Sequence, residues 1–432
     1  MREMKDSGVE WIGEIPKNWK TEKSKYHFTN KKIVPGVHSD EYQRLSLTLN
    51  GVLKRDKEDS DGLQPKDFNT YQLLKENELV FKLIDLQNIS TSRVGLAHDT
   101  GLVSPAYIVL KPNKDMNPKY AEYYFLMLWY RDIFNALGDA GVRSSLGVED
   151  LLDISICFPH LQEQSRIASF LDSKCSEIDS LYFDINEQIE TLKEYKKSVI
   201  TEAVTKGLDP DVETKDSGVE WIGEIPSHWQ VKRFKYAVES LNKGNGITKE
   251  DVKDDGNIQC IRYGEIYSKY SVSVSKTFSR TDEEIISPPK HIKYGDILFS
   301  GTGELVEEIG KNIVYLGIDP CLAGGDIIVA KHNQEPRFLN YAANSVYMQN
   351  QKSFGKAKLK VVHISTTEIG NLLIAFPSLE EQQQIADYLD SKCSEIDSII
   401  ESKQQQLETL EQYKKSLIYE YVTGKKEVPA NA

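Results

Sequence analysis

Forked hydrogen-bond donors set among turn residues are the chemistry-bearing feature of this sequence. Arginine or lysine can bridge the O6 and N7 acceptors of guanine, and asparagine or glutamine matches adenine. Serine, threonine and free backbone N–H groups suit phosphate oxygens. Residues 87–93 (QNISTSR) follow a strand-like run and place Gln87, Asn88, Ser92 and Arg93 in one polar loop. Residues 138–147, with Arg143, Ser144 and Ser145, make a second candidate loop. Farther on, Arg262-Tyr263 ends a strand-like run, and Gly301-Thr302-Gly303 is a turn whose backbone can approach a phosphate. Residues 355–360 (GKAKLK) then alternate Lys356, Lys358 and Lys360 with other residues. That stretch precedes a last strand-like run, as 141–145 does in the first half. For any single residue the plain alternative is solvated surface charge; whole loops of this kind point to nucleic acid.

Covalent chemistry is poorly served. Phe299-Ser300-Gly301-Thr302-Gly303 has the glycine spacing of an S-adenosylmethionine turn, and Ser287-Pro288-Pro289-Lys290 is a partial match to an adenine-methylating loop. Lys290 replaces the aromatic residue that would stack on a flipped base. No βαβ series surrounds the pair, and a lone glycine-rich turn is weak evidence. There is no Walker A lysine motif and no HExxH. The 8 histidines are scattered, His160 and His363 included, with no evident catalytic partner. The carboxylates mostly decorate helices instead of clustering around a metal position. The five cysteines lack metal-ligand spacing. We therefore expect no catalytic residues, no metal and no cofactor on this chain.

Two long amphipathic stretches must carry these loops. Leu171, Ile178, Ile185, Leu192 and Val199 recur every seventh residue, with Cys175, Tyr182 and Ile189 in a companion row. The pattern predicts a helix of about 45 residues, roughly 65 Å long, with a coiled-coil seam. Such a helix needs a partner to be stable. Leu389, Ile396, Leu410 and Leu417 repeat it, with Cys393, Ile400 and Leu407 alongside, and only Lys403 interrupts the main row. LDSKCSEIDS stands at 171–180 and again at 389–398. Residues 5–16 (KDSGVEWIGEIP) recur at 215–226, each followed by a tryptophan, Trp19 or Trp229. The chain is a tandem duplication: short motif, variable block, helix, then the same again. The glycines and proline of the short motif suggest an irregular clip that buries its apolar residues against the helices.

The division that follows is 1–159 for the first clip and block, 160–210 for the first helix, 211–377 for the second clip and block, 378–424 for the second helix, and a disordered tail at 425–432. Both blocks read as mixed α+β. Strand-like runs cover 78–84, 106–110 and 154–158, then 258–262, 296–300, 312–316 and 326–330; helical patterns cover 120–137 and 339–349. Ser378 and Glu381 suggest a capping box for the second helix. The net charge of −13 lies mainly in the helices. Residues 160–210 hold 10 acids against 6 bases, and 378–424 hold 10 against 4. Each block is near neutral, which leaves room for local basic faces. No apolar run is long enough for a membrane span. The polar start suggests no secretory signal, and cysteines at apolar helix positions suggest reduced thiols, so a cytoplasmic protein is expected.

With SGVEWIGEIPxxW at the head of both halves, Pro-x-Leu-x-Glu-Gln at 159–164 and 377–382, and the duplicated long helices, the whole chain resembles the specificity (S) subunit of type I restriction-modification systems. The resemblance implies two target recognition domains, each reading one half of a bipartite site in double-stranded DNA. It implies an antiparallel coiled coil that measures the spacer, and a pseudo-two-fold internal repeat. It implies a non-catalytic chain that recruits two modification (M) subunits and restriction (R) subunits. The former would carry S-adenosylmethionine for adenine-N6 methylation, and the latter ATP and Mg. The competing reading is a coiled-coil scaffold whose blocks bind other proteins; two unlike blocks on like helices suit a split DNA site better.

Overall fold

The computed structural model describes residues 2–59, 67–87, 91–138, 145–356 and 361–429. Two helices, Leu161–Lys206 and Leu379–Val422, dominate it. Each begins after a proline and ends in a glycine with left-handed backbone, Gly207 (φ 75°) and Gly424 (φ 70°), a common helix stop. The chain compacts into two units. One holds residues 1–185 and 404–432; the other holds 186–403. Each unit therefore owns one clip, one block and a half of each long helix.

In the first unit the clip is more regular than expected. Met4–Asp6 pairs antiparallel with Glu14–Pro16, and Gly8 and Gly13, both with positive φ, let the chain turn between them. Ile12, Ile15 and Trp19 are buried as expected. Lys20–Lys23 then pairs with Ser155–Phe158, the block's last strand. The block's central sheet runs Phe28–Thr29, Ile108–Pro112, Leu79–Phe81, Val94–Leu96. A second sheet runs Gly51–Arg55, Arg44–Thr48, Gly101–Val103, Gln72–Leu74. The helix expected over 120–137 is split into Pro118–Tyr130 and Ile133–Leu137, because Asp132 between them is left-handed (φ 63°).

The second unit repeats this plan. Thr214–Asp216 pairs with Glu224–Pro226, and Gln230–Arg233 with Leu373–Phe376. Its main sheet runs Ser240–Lys243, Ile327–Lys331, Ile297–Ser300, Asn312–Tyr315, Ser273–Val274. The central register is conserved between units: Leu79 opposes Leu96, and Ile297 opposes Val314. Both residues have moved by 218, the spacing of the long helices. A four-stranded sheet of Ser279–Thr281, Ile258–Ile261, Cys321–Ala323 and His291–Ile292 flanks it. The expected helix over 339–349 is two helices, Pro336–Asn344 and Val346–Ser353, broken at the extended Ser345.

Within each unit the long helices pack together. In the second unit Lys196 meets Asp397 at 2.7 Å and Lys403 meets Gln188 at 2.5 Å. Numbers rise on one helix as they fall on the other, so the pair is antiparallel. In the first unit Lys414 meets Asp179 at 2.6 Å. Leu171, Ile178, Val199, Leu389, Ile396 and Leu417 are buried, while Ile185, Leu192 and Leu410 are half-buried. Lys403 keeps its stem half-buried and sends its ammonium to Gln188, the snorkelling open to a lysine in a seam. Tyr182, assigned to the companion row, is instead 42% exposed. All five cysteines are buried and unpaired, their thiols pushed up by burial.

Two corrections follow. Residues 425–429 of the tail are placed, with Val428 buried and its carbonyl 3.4 Å from the Arg166 guanidinium. The capping box is half made: Ser378 Oγ accepts from Glu381 N at 3.3 Å. The Glu381 carboxylate turns instead to Trp229, whose indole N–H donates at 2.9 Å. A clip tryptophan has thus displaced the usual reciprocal bond. No helix among the described residues is long and apolar enough to cross a membrane.

Candidate nucleic-acid interface

In both blocks the central strand of the main sheet delivers the first candidate loop. Leu79–Phe81 leads into 82–93, and Ile297–Ser300 into 301–311. Both strands are wholly buried, so the polar residues just beyond them emerge from a rigid base. A second loop is tied to the first by one backbone bond. Leu146 N donates to Leu83 O at 2.9 Å, and Ile364 N to Gly301 O at 3.0 Å. All four positions again differ by 218. Leu146, near the end of 138–147, and Ile364, just past 355–360, therefore meet the post-strand loops at equivalent places in two blocks that share almost no literal sequence.

In the first block, Gln87 and Ser145 are exposed. Arg93 is not: it is fully buried, with Nη2 donating to Asp85 O at 2.8 Å and Nη1 to Lys82 O at 3.4 Å. Ser92 is buried as well, and its hydroxyl donates to Val94 O at 2.6 Å. The expectation that Ser92 and Arg93 face a ligand is corrected: they brace the loop from beneath. Lys82 Nζ donates to Thr91 Oγ1 at 3.0 Å, and burial followed by the neighbouring Arg93 charge lowers its pKa. Asn88, Arg143 and Ser144 lie outside the described residues.

In the second block three separate stretches converge. Gly324 N donates to Ile261 O at 2.8 Å, and Gly301 N to Asp326 O at 2.7 Å, so one turn joins the Arg262 strand end to the Gly301 turn. Thr302 and Gly303 pair antiparallel with His363 and Val362, and Thr302 Oγ1 lies 3.1 Å from His363 Nδ1. Tyr263 is 40% exposed. Arg262 caps the helix Tyr263–Ser268 and pairs with Glu265 at 3.2 Å. Two expectations are corrected. Gly301 is no phosphate cradle, because both its backbone groups are used, and a Cβ there would stand 2.8 Å from Asp326 O. Close backbone approach accounts for the glycine. Lys356 is turned in, its ammonium on His363 O at 2.6 Å and Glu368 at 2.7 Å. Lys358 and Lys360 lie outside the described residues.

The residues missed by inspection are those that seat each block on its long helix. Gln164 is fully buried; its Oε1 accepts from Asn117 N at 2.8 Å, and its Nε2 donates to Pro159 O at 3.0 Å. Gln382 does the same with Glu335 N at 3.0 Å and Pro377 O at 3.2 Å. Tyr123 donates to Asp172 and Tyr341 to Asp390, both at 2.8 Å. Arg337 adds ion pairs to Glu335, Asp387 and Asp390; Lys119 makes the weaker version with Glu122 and Asp172. The available signal was Asn117-Pro118-Lys119 against Glu335-Pro336-Arg337, at the helical repeat spacing. Among the described residues no cluster of His, Cys, Asp and Glu could hold a metal ion.

Comparison with known proteins fits this duplicated plan. The family described as "Type I restriction modification DNA specificity domain" matches residues 7–191 and again 226–412. The MjaVIII specificity subunit of a type I restriction enzyme from Methanocaldococcus jannaschii is 29% identical over 279 residues, which is 63% of this chain and 62% of that protein. The putative MjaX specificity subunit of the same organism is 29% identical over 326 residues, 74% of this chain and 70% of that one. The match thus spans less than two thirds of the first relative's length. A chain solved in work on complex assembly and conformational transition of the type I R-M system has a TM-score of 0.71 at 14% identity, covering 95% of this chain and 99% of its own. That likeness shows a shared fold.

Proposed function

Because this chain belongs to the family of type I restriction-modification DNA specificity subunits, we propose that it reads a bipartite site in double-stranded DNA, one half-site per block. The observation that carries the reading is the loop pair: two blocks of unlike sequence hold equivalent loops by the same backbone bond, Leu146 to Leu83 and Ile364 to Gly301. A duplicated scaffold with divergent loops suits one kind of contact made on two different sequences. Gln87, Asn88, Arg143, Ser144 and Ser145 would serve the first half-site. Arg262, Tyr263, Thr302, Lys358 and Lys360 would serve the second, with forked and single donors on base edges and phosphates.

The antiparallel helices would set the spacer between half-sites and receive two modification subunits, and restriction subunits would join them. The reaction steps would belong to those partners: S-adenosylmethionine on the modification subunits, ATP and Mg on the restriction subunits. This chain would contribute no catalytic residue. It would hold DNA so that a target adenine can leave the stack and be methylated elsewhere.

Exchanging residues 227–376 for the second block of another family member tests this. Methylome sequencing of cells expressing the complex should show one half-site replaced while the other half-site and the spacer length stay constant. Methylation of one uninterrupted word, or loss of both half-sites in a folded complex, would overturn the reading.

A further inference from the structure

Arg93 and Lys311 stand at one backbone position of the repeated sheet. Arg93 O accepts from Lys82 N at 3.0 Å, and Lys311 O accepts from Ser300 N at 2.9 Å. Each directly precedes the strand that pairs with the central one, Val94–Leu96 or Asn312–Tyr315. Each places a cation behind the loop that leaves the central strand, although the surrounding sequences differ. Arg93 fastens its loop by two backbone carbonyls, those of Lys82 and Asp85. Asp85 holds φ at +53°, a left-handed conformation uncommon for a residue with a side chain, and the guanidinium is the group bonded to its carbonyl.

Lys311 acts through an aromatic ring. Its ammonium lies 5.7 Å from the centre of Tyr267. The Tyr267 hydroxyl donates to Glu308 O at 3.2 Å and stands 3.0 Å from where a Cβ on Gly303 would lie. Burial lowers the pKa of both cations. A hydrophobic side chain would fill either site more cheaply, because burying charge is unfavourable. What a cation adds is directional hold on loop carbonyls or on a ring, and positive field beside loops that would approach phosphate.

Resting on the reading of this chain as a DNA specificity subunit, we infer that Arg93 and Lys311 are positioning residues for specificity, each fixing the loop geometry with which its own block reads one half-site. Neither contacts a base.

The test uses the full chain with its modification subunits and selection from a random duplex library, read separately for the two half-sites. Arg93→Lys keeps the charge and loses the fork; Lys311→Met keeps the length and loses the charge. Arg93→Lys should reduce discrimination at the first half-site by about tenfold, the order expected when one charge-assisted hydrogen bond holding the loop is lost, and leave the second unchanged. Lys311→Met should do the converse. The unfolding temperature of each variant is measured alongside. A shift in one half-site with the unfolding temperature retained supports the inference. Unchanged preference at both half-sites in a bipartite-selecting complex overturns it and leaves the proposed function standing. A wild-type complex without sequence preference sinks both.

Discussion

Lys352 occupies the position that Phe134 holds in the first unit, 218 residues earlier, and both are buried. Its ammonium donates to Gly310 O at 2.8 Å, Asn312 Oδ1 at 3.0 Å and Ala343 O at 2.7 Å. These acceptors are all uncharged, so burial pushes its pKa down to about 7. Between that pH and the usual lysine value of 10.5, the unfolded chain binds a proton that the folded chain lacks. Stability of the second unit should therefore rise with pH across this window, with the full cost of the buried charge felt below about 7. Lys352→Met should flatten that rise, as followed by the unfolding temperature from pH 7 to 10. It should not simply stabilise, because three buried acceptors lose their donor, at about 1–3 kcal/mol each. At this scale the sequence revealed residue types but not directions. Arg93 and Lys356 were recognisable as donors in polar loops. That one is fully buried and the other held on Glu368 depends on side-chain geometry that a string of letters lacks. Gly301 was singled out for close backbone approach, and its close neighbour is the Asp326 carbonyl rather than a phosphate.

The elements were more legible because periodicity and punctuation survive in sequence. The seven-residue rows located both long helices, expected over 160–210 and 378–424 and found at Leu161–Lys206 and Leu379–Val422. The block helices were placed but overextended, since Asp132 and Ser345 break the chain without a glycine or proline to announce it. The attachment of block to helix went unread because its parts are ordinary residues far apart in sequence. Gln164 and Gln382 are its centre. Replacing Gln382 by alanine leaves the Glu335 N–H, which begins the helix Pro336–Asn344, without its acceptor. A buried orphan of this kind costs about 1–3 kcal/mol. Gln382→Ala and Gln164→Ala are each expected to lower stability by that amount. Amide exchange should quicken in the first turn of the attached block helix and stay slow in the central sheet strands.

At the scale of the whole molecule, duplication was plain from repeated words, while the way the chain partitions was not. A linear reading divides it into successive segments. The structure joins 1–185 with 404–432 and leaves 186–403 continuous. In the first unit the Tyr120 hydroxyl donates to Val422 O at 3.0 Å and Tyr419 reaches Ile12 O at 3.4 Å. A Cβ on Gly424 would lie 2.5 Å from Pro16. A chain truncated after Lys403 should thus keep a protease-resistant fragment from the second unit and lose protection across residues 2–185. Full resistance of both regions in that truncate would contradict the partition.

The contact between Gly424 and Pro16 also bears on birth order. A ribosome releases the first clip long before it has made residue 424, so Trp19 and its neighbours must wait, incompletely covered, until that glycine is made. The segment 186–403 meets no such delay and can finish while the chain is still tethered. The half of the molecule that begins first is the half that is completed last.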